Sequence, residues 1–394
     1  MCLHVRQSWG DTMRVRFSRN GFGLALVAAS LLVLSGCGQR DVVKIGVALP
    51  LSGSMAEYGQ NAREGIVLAA EELRRRPEIK RFELIFQDTK EAPQETLDVV
   101  RRLVDVHRVR FIIGGLTSSG VFAAAPYAQS HGVLFFSPAA SAPGIPEIGD
   151  LVFRNWPSDK LIASQLGRMV AERLRVRTAA VLHVSNDYGK VNADAFAQSF
   201  EAGGGRVVMT RSFPQGWTDF RTLLTQVAGM RNLEKVYVAA YPDEFRALFQ
   251  QLGSLGPLLK GKILASDTLF SPRLVSELGP SAEGTMVAVA AKPGLNYEPR
   301  QRFFERYRAR FKTADGKPKE PGLVSDTAYD ALYLVMTAIS QTDGYPGAVS
   351  RWLLSLPEPF RGASGPIKFT SQGDIVGQLA CYEVRDGRFT EVRF

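Results

Sequence analysis

Val42-Val43-Lys44-Ile45-Gly46-Val47-Ala48 runs directly into Leu49-Pro50-Leu51-Ser52-Gly53. A β-branched run that ends in a loop bearing proline and glycine reads as a strand breaking into a turn. The period then changes. Ala62, Ile66, Ala69, Ala70 and Leu73 fall on one helical stripe, Arg63, Glu64, Glu71 and Arg75 fall elsewhere, and Pro77 ends the segment. The alternation repeats, with strands expected at 82–86, 111–114 and 133–136 and helices at 95–106 and 121–129. A second series follows Trp156-Pro157-Ser158-Asp159, where Ser158 or Asp159 can cap a helix carrying Ile162, Leu166, Met169 and Val170 on one face. Its strands are 179–184, 207–213, 236–240 and 263–265, with helices between them, the first leaving through Gly203-Gly204-Gly205. A strand at 286–290, helices around 301–311 and 324–339, and short β segments from 366 with turns at 371–374 and 385–388 complete the chain. Such βα alternation implies an α/β fold with parallel sheet covered on both faces, here in two similar series.

Upstream of the first strand, the apolar run 21–34 follows Arg14, Arg16 and Arg19 and closes in Leu34-Ser35-Gly36-Cys37. It is too short to span a bilayer. A cationic start, an apolar middle and small residues before a cysteine read as a lipoprotein signal peptide, residues 1–36, with translation starting at Met1 or Met13. Cys37 then becomes the lipidated first residue and 37–41 a tether, so the protein works outside the cytoplasm on a bacterial membrane. Gly38, in place of an aspartate, points to the outer membrane. Beyond Cys37 only Cys381 remains, so the mature chain forms no internal disulfide and its core must hold by packing. The formal net charge is +9, but Lys and Arg are interleaved with Asp and Glu, as on solvated helix faces, and nucleic-acid binding is excluded on that ground.

Enzyme signatures are missing: there is no phosphate loop, nucleophile elbow or metal-spaced His or Cys group, so no metal or cofactor is expected. The informative residues lie after the strands, where open parallel sheets bind ligands. Thr117-Ser118-Ser119 follows one strand and precedes a helix, a place suited to a carboxylate or simply to capping. Ser137-Pro138-Ala139-Ala140-Ser141 follows the next strand. Tyr58, Tyr188 and Tyr241 occupy comparable loop positions, either facing a ligand or filling the core. Asp267 follows strand 263–265 and is placed to hold an ammonium group or to cap the next helix.

Val43-Lys44-Ile45-Gly46-Val47-Ala48-Leu49-Pro50-Leu51-Ser52-Gly53, Tyr58-Gly59, Thr117-Ser118-Ser119, Phe136-Ser137-Pro138-Ala139-Ala140-Ser141, Asp187-Tyr188-Gly189 and Gly365-Pro366-Ile367-Lys368-Phe369 occur in that order. Together they closely resemble the leucine/isoleucine/valine-binding proteins, type I periplasmic solute-binding proteins of ABC importers. The resemblance spans essentially the whole mature chain. It implies two doubly wound lobes joined by a three-crossing hinge, 42–158 plus 290–363 and 159–289 plus 364–394, which close on a ligand. It also implies that Ser118 and Ser141, with Ser119 and the groups around Ala139 and Ala140, would hold the carboxylate and ammonium of an amino acid. Asp267 would pair with the ammonium, and Tyr58, Tyr188 and Tyr241 would surround the side chain. The chain departs from the pattern at Asp267, usually Glu, and at Ser141, often Thr. Asp88 and Thr117 stand near the positions of a disulfide present in some members. The partners implied are an ABC permease and, through the anchor, the membrane. The other class that fits is a ligand-sensing or protein-interaction lipoprotein of the same fold that regulates an envelope partner. An enzyme is disfavoured because no base is placed to activate Ser118.

Overall fold

β-Branched side chains favour extended backbone, and β1 (Val43–Leu49) forms where they are densest in the opening stretch. The computed structural model describes residues 42–90, 92–253 and 258–392. The leader, Cys37 and the tether 37–41 lie outside them. β1 ends one residue later than expected, because Asp88 pins the loop behind it, accepting from the backbone of Leu51 at 2.8 Å and the hydroxyl of Ser52 at 2.6 Å. α1 (Ala56–Leu73) follows and buries the anticipated stripe of Ala62, Ile66, Ala69, Ala70 and Leu73. β2 (Phe82–Asp88), α2 (Pro93–Arg101), β3 (Phe111–Gly114), α3 (Ser118–Ser130) and β4 (Leu134–Ser137) continue the series. α2 passes into a π-helical turn, Arg102–Val106. β5 (Val152–Arg154), a three-residue strand that local patterning did not announce, completes a five-stranded parallel sheet of order β2-β1-β3-β4-β5.

The second sheet repeats this plan. α4 (Asp159–Glu172) leads into β6 (Thr178–Val184), α5 (Asp187–Ala202), β7 (Arg206–Phe213), α6 (Arg221–Ala228), β8 (Lys235–Ala239), α7 (Pro242–Leu252), β9 (Ile263–Ala265), α8 (Pro272–Leu278) and β10 (Met286–Ala290). Its parallel strands lie in the order β10-β9-β8-β6-β7, the same winding as the first sheet. The glycines after α5 act as a helix exit, with Gly204 at φ +88° and Gly205 N–H on the carbonyl of Phe200. α9 (Glu298–Arg310), α10 (Ser325–Gln341) and α11 (Pro346–Leu354) return the chain to the first sheet, where α10 packs along α1 and α11 near β4. Of these, α11 went unread from the sequence. β11 (Phe360–Arg361) and β12 (Pro366–Ile367) form a short hairpin. β13 (Leu379–Arg385) and β14 (Arg388–Val392) then add two antiparallel strands to the second sheet, turning at Asp386 and Gly387.

Strand alternation assigns the faces. Ile45, Val47 and Leu49 of β1 join the core with α1 and α10, while Ala48 points to the opposite core built by α2 and α3. In the second sheet Ala179 and Val181 face α4 and α5, whereas Ala180, Leu182 and Val184 face α6, α7 and α8. Cys381 of β13 is buried in the α4–α5 core, and burial pushes its thiol up to about 12, so it serves as a small hydrophobe. Among the described residues no helix is long and apolar enough to cross a membrane.

Three stretches connect the sheets: the residues between β5 and α4, those between β10 and α9, and those between β12 and β13. Charged groups brace them. Arg154, wholly buried, grips Asp374 with two 2.7 Å bonds and donates a third to the carbonyl of Ala142. Lys292 and Arg300 converge on Asp326 at 2.6–2.8 Å. Burial alone would raise the Asp326 carboxyl, but the two cations outweigh it and hold the group at about 2.

Candidate functional site

Both sheets aim the carboxyl ends of their strands at one pocket. The loops that reach it follow the first, third and fourth strands of each series, which is where the winding order reverses and a crevice opens.

On the first-sheet side, β3 turns over β1 through Gly114 at φ +152° and Gly115 at φ +69°; a Cβ on Gly114 would stand 2.0 Å from the carbonyl oxygen of Ala48. Thr117 caps α3, its hydroxyl accepting from Gly120 N–H at 3.3 Å. Ser118 is therefore not needed as a cap. Its hydroxyl accepts from the backbone of Ser141 at 3.4 Å and Ala142 at 3.1 Å, tying the two loops together, and keeps its own proton to donate. The N–H groups of Ser118 and Ser119, which open α3, have no helical acceptors. Ser137 organises the neighbouring loop by donating to Gly115 O at 2.7 Å and accepting from Ala140 N–H at 3.0 Å.

On the other side, Asn186 caps α5 by accepting from Gly189 N–H at 3.0 Å, which puts Tyr188 in the first turn. Its ring stacks on Tyr241 with centroids 5.2 Å apart and planes at 19°, and its hydroxyl donates to Asp267 Oδ1 at 2.8 Å. Ser271, not Asp267, caps the following helix. Asp267 instead opens a single 3₁₀ turn and is half-buried; loss of solvent around it pushes its carboxyl up to about 6 against the Tyr188 bond.

The expectation that Ser158 or Asp159 caps α4 is corrected by the structure: neither side chain bonds the helix start. Asp159, 4% exposed, turns inward and accepts from the hydroxyl of Ser141. Burial and the ionised Asp267 push its carboxyl up to about 8, against Ser141, Arg154 and Asn192. Asp267 thus lines the pocket, and Asp159 stands behind Ser141, which lines it too.

The structure gathers Tyr58, Ser118, Ala139, Ser141, Tyr188, Tyr241 and Asp267 around this space. Ser119 and Ala140 do not line it. Ala140 packs into the α2–α3 core, and Ser119 is rotated one helical step from Ser118, its hydroxyl buried without a partner among the described residues. Met55, Trp156 and Thr268 also line the pocket, as do Leu323 and Val324 at the start of α10. No local signal marks them. Val324 sits at φ 65°, a left-handed conformation that its β-branched side chain would not suggest.

The two sides also touch directly. Tyr58 hydroxyl donates to the carbonyl of Thr268, and Ser271 hydroxyl to Glu57 Oε1 at 2.7 Å, so the cleft is latched shut. One wall presents hydroxyl and N–H donors, the other carboxylates and aromatic faces.

Two doubly wound lobes closed on such a pocket define a receptor for a small solute. A family model described as periplasmic binding protein matches residues 42–388, and the chain belongs to that family, whose members bind solutes outside the cytoplasm and are not enzymes. The leucine-, isoleucine-, valine-, threonine-, and alanine-binding protein of Pseudomonas aeruginosa is 25% identical over 360 residues, covering 90% of this chain and 93% of that protein. The crystal structure of a leucine-binding protein, LivK, from Thermotoga maritima superimposes with a TM-score of 0.81 at 25% identity, over 89% of this chain and 98% of that one. The branched-chain amino acid transporter substrate binding protein LivJ of Streptococcus pneumoniae, solved in complex with isoleucine, matches the fold with a TM-score of 0.80 at 24% identity, over 89% and 98% of the two chains.

Proposed function

We propose that this protein is a lipid-anchored receptor that captures an amino acid or a related small amphoteric molecule and delivers it to an ABC permease. The observation that carries the reading is the opposition of donors and carboxylates across one closed pocket. The ligand carboxylate is taken by the Ser118 hydroxyl and the first N–H groups of α3, where the helix dipole favours negative charge. Its ammonium is taken by Asp267 and the Ser141 hydroxyl, with Asp159 behind that serine. Tyr58, Tyr188, Tyr241 and Trp156 enclose the side chain. Burial strengthens these charge-assisted bonds and demands that both ligand charges be met.

The bodies that open and close are 42–158 with 290–363 and 159–289 with 364–394, moving about the three connections. Cys37 carries the lipid. Branched-chain amino acids are the first candidates, because the relatives named above are called leucine-, isoleucine- and valine-binding proteins.

Isothermal titration with the common amino acids tests the reading. Binding by at least one of them, abolished or greatly weakened by Asp267→Ala and by Ser118→Ala, is the expected result. A folded protein that gives no heat and no thermal shift with any amino acid would remove the amino-acid assignment.

A further inference from the structure

We propose that the base of the first lobe, the face from which the chain leads back to Cys37, docks on anionic phospholipid headgroups. The orientation rests on the reading of Cys37 as a lipid anchor; the chemistry rests on the arginines.

The strands of the first sheet are parallel, so their amino ends share one edge, opposite the pocket. Val43 N–H donates to Arg81 O at 2.9 Å and Leu134 N–H to Arg110 O at 3.0 Å, which brings the residues before β1, β2, β3 and β4 together. α1 runs back against the strands and delivers its last turn to the same edge. Lys80 joins the end of α10 there, its ammonium donating to Thr342 O at 3.1 Å.

Arg74, Arg75, Arg76, Arg81, Arg108 and Arg110 are all exposed at this end, and none makes an ion pair with another described residue. The contrast with α9 is direct: Arg300, Arg306, Arg308 and Arg310 are each matched to a carboxylate. Three of the six unmatched guanidiniums lie over rings, Arg74 over Phe82 at 5.2 Å, Arg76 over Tyr333 at 5.2 Å and Arg110 over Tyr345 at 5.0 Å. The rings hold them in place without neutralising them. Tyr345, 61% exposed, and Val106, 71% exposed, add apolar surface to the same face. The acids nearby are fewer: Glu78, Asp105, which accepts from Tyr127, Asp150 before β5, which accepts from Gln129, Asp343, which accepts from Tyr345 N–H, and Glu72 beside Arg76, which pairs with Arg306. Lys44 and Glu83 are register partners and offset one another.

The tether makes the headgroup the matching partner. Residues 37–41 can span at most about 18 Å, so a lipid on Cys37 keeps this face, where Val42 emerges, within about two Debye lengths of the bilayer at physiological salt. Guanidinium pairs with phosphate oxygens bidentately. The first lobe is thereby seated with its base on the membrane and its cleft facing away.

The test uses the chain from residue 38, which carries no lipid but the whole of both sheets and their helices, with vesicles of phosphatidylcholine alone or with phosphatidylglycerol added. Co-sedimentation with the anionic vesicles only, reversed by salt, is expected. Arg75→Glu, Arg81→Glu and Arg108→Glu together avoid the ring-stacked arginines. They should weaken the partition about 100-fold, at roughly fivefold for each basic residue at an anionic surface, and leave amino-acid binding and thermal unfolding unchanged. No preference for anionic vesicles, or a triple variant that binds like its parent, overturns the proposal. Radiolabelled fatty acid on Cys37 in cells is read separately. An unlabelled Cys37 removes the anchor, while the vesicle result alone decides the surface.

Discussion

Asp159 and Asp267 come from two segments of the second sheet's lobe, Asp159 buried behind Ser141 and Asp267 half-buried on the pocket wall, and loss of solvent raises both carboxyls. Each holds its proton more tightly in the closed fold than an exposed carboxyl would. The sign follows: below the ordinary carboxylate range this costs nothing, and as the pH rises toward 8 the closed empty form loses stability because folded protein binds more protons than unfolded chain. An ammonium held by Asp267 and the Ser141 hydroxyl, with Asp159 behind that serine, offsets that penalty. Ligand affinity is expected to rise from pH 5 to pH 8, and calorimetry in buffers of different ionisation heat should detect protons released on binding near pH 7. Flat affinity with no proton release would exclude an ammonium there. Asp267→Ala should lower affinity by about 2–3 kcal/mol, a charge-assisted bond lost in a dry site, while Asp159→Asn should raise the melting temperature of the empty protein at pH 8. Asp267 was visible in the sequence from its position after a strand. Asp159 was legible only as a helix start, because its partner Ser141 lies 18 residues away and in another loop.

At the scale of elements, the two series are one design used twice. Tyr58 and Tyr188 follow the first strand of each, Ser118 and Tyr241 the third, Ser141 and Asp267 the fourth. Sequence periodicity found these strands because each lies between two helical layers and is largely apolar, as β3, β4 and β10, buried at every residue, are. It missed β5, whose three residues are too few to show a period, and α11, which starts at a proline after a glycine-bearing turn. Close helix contact depends on residues without side chains: a Cβ on Gly65 of α1 would lie 2.0 Å from the carbonyl oxygen of Ser325 in α10. Gly65→Ala should push the two helices apart and destabilise the protein by about 1–3 kcal/mol, measured by chemical unfolding. An unchanged midpoint would mean that α10 slides without cost.

For the whole molecule, closure and folding draw on different bonds. The Ser271–Glu57 bond spans the cleft. Glu57→Ala is expected to speed ligand release about fivefold, the worth of one net hydrogen bond of roughly 1 kcal/mol, with the association rate little changed in stopped-flow traces. Equal release rates would show that closure does not depend on that latch. Arg154 and Asp374 brace the connections from inside. Asp374→Ala leaves a buried guanidinium unmatched and should cost about 3–5 kcal/mol in thermal unfolding. The sequence by itself determined the α/β class, the two series, the loops that bear polar residues and the family resemblance, because period, turn chemistry and motif order are written within a few residues of one another. Only the tertiary structure decided that Ser118 is free to donate while Thr117 caps, that Ser119 and Ala140 turn away, and that Asp159 faces inward. It alone decided that Arg154 finds Asp374, 220 residues on. Those outcomes depend on which distant groups share a buried space, and burial, by removing water as the alternative partner, is what forces each polar group to a particular neighbour.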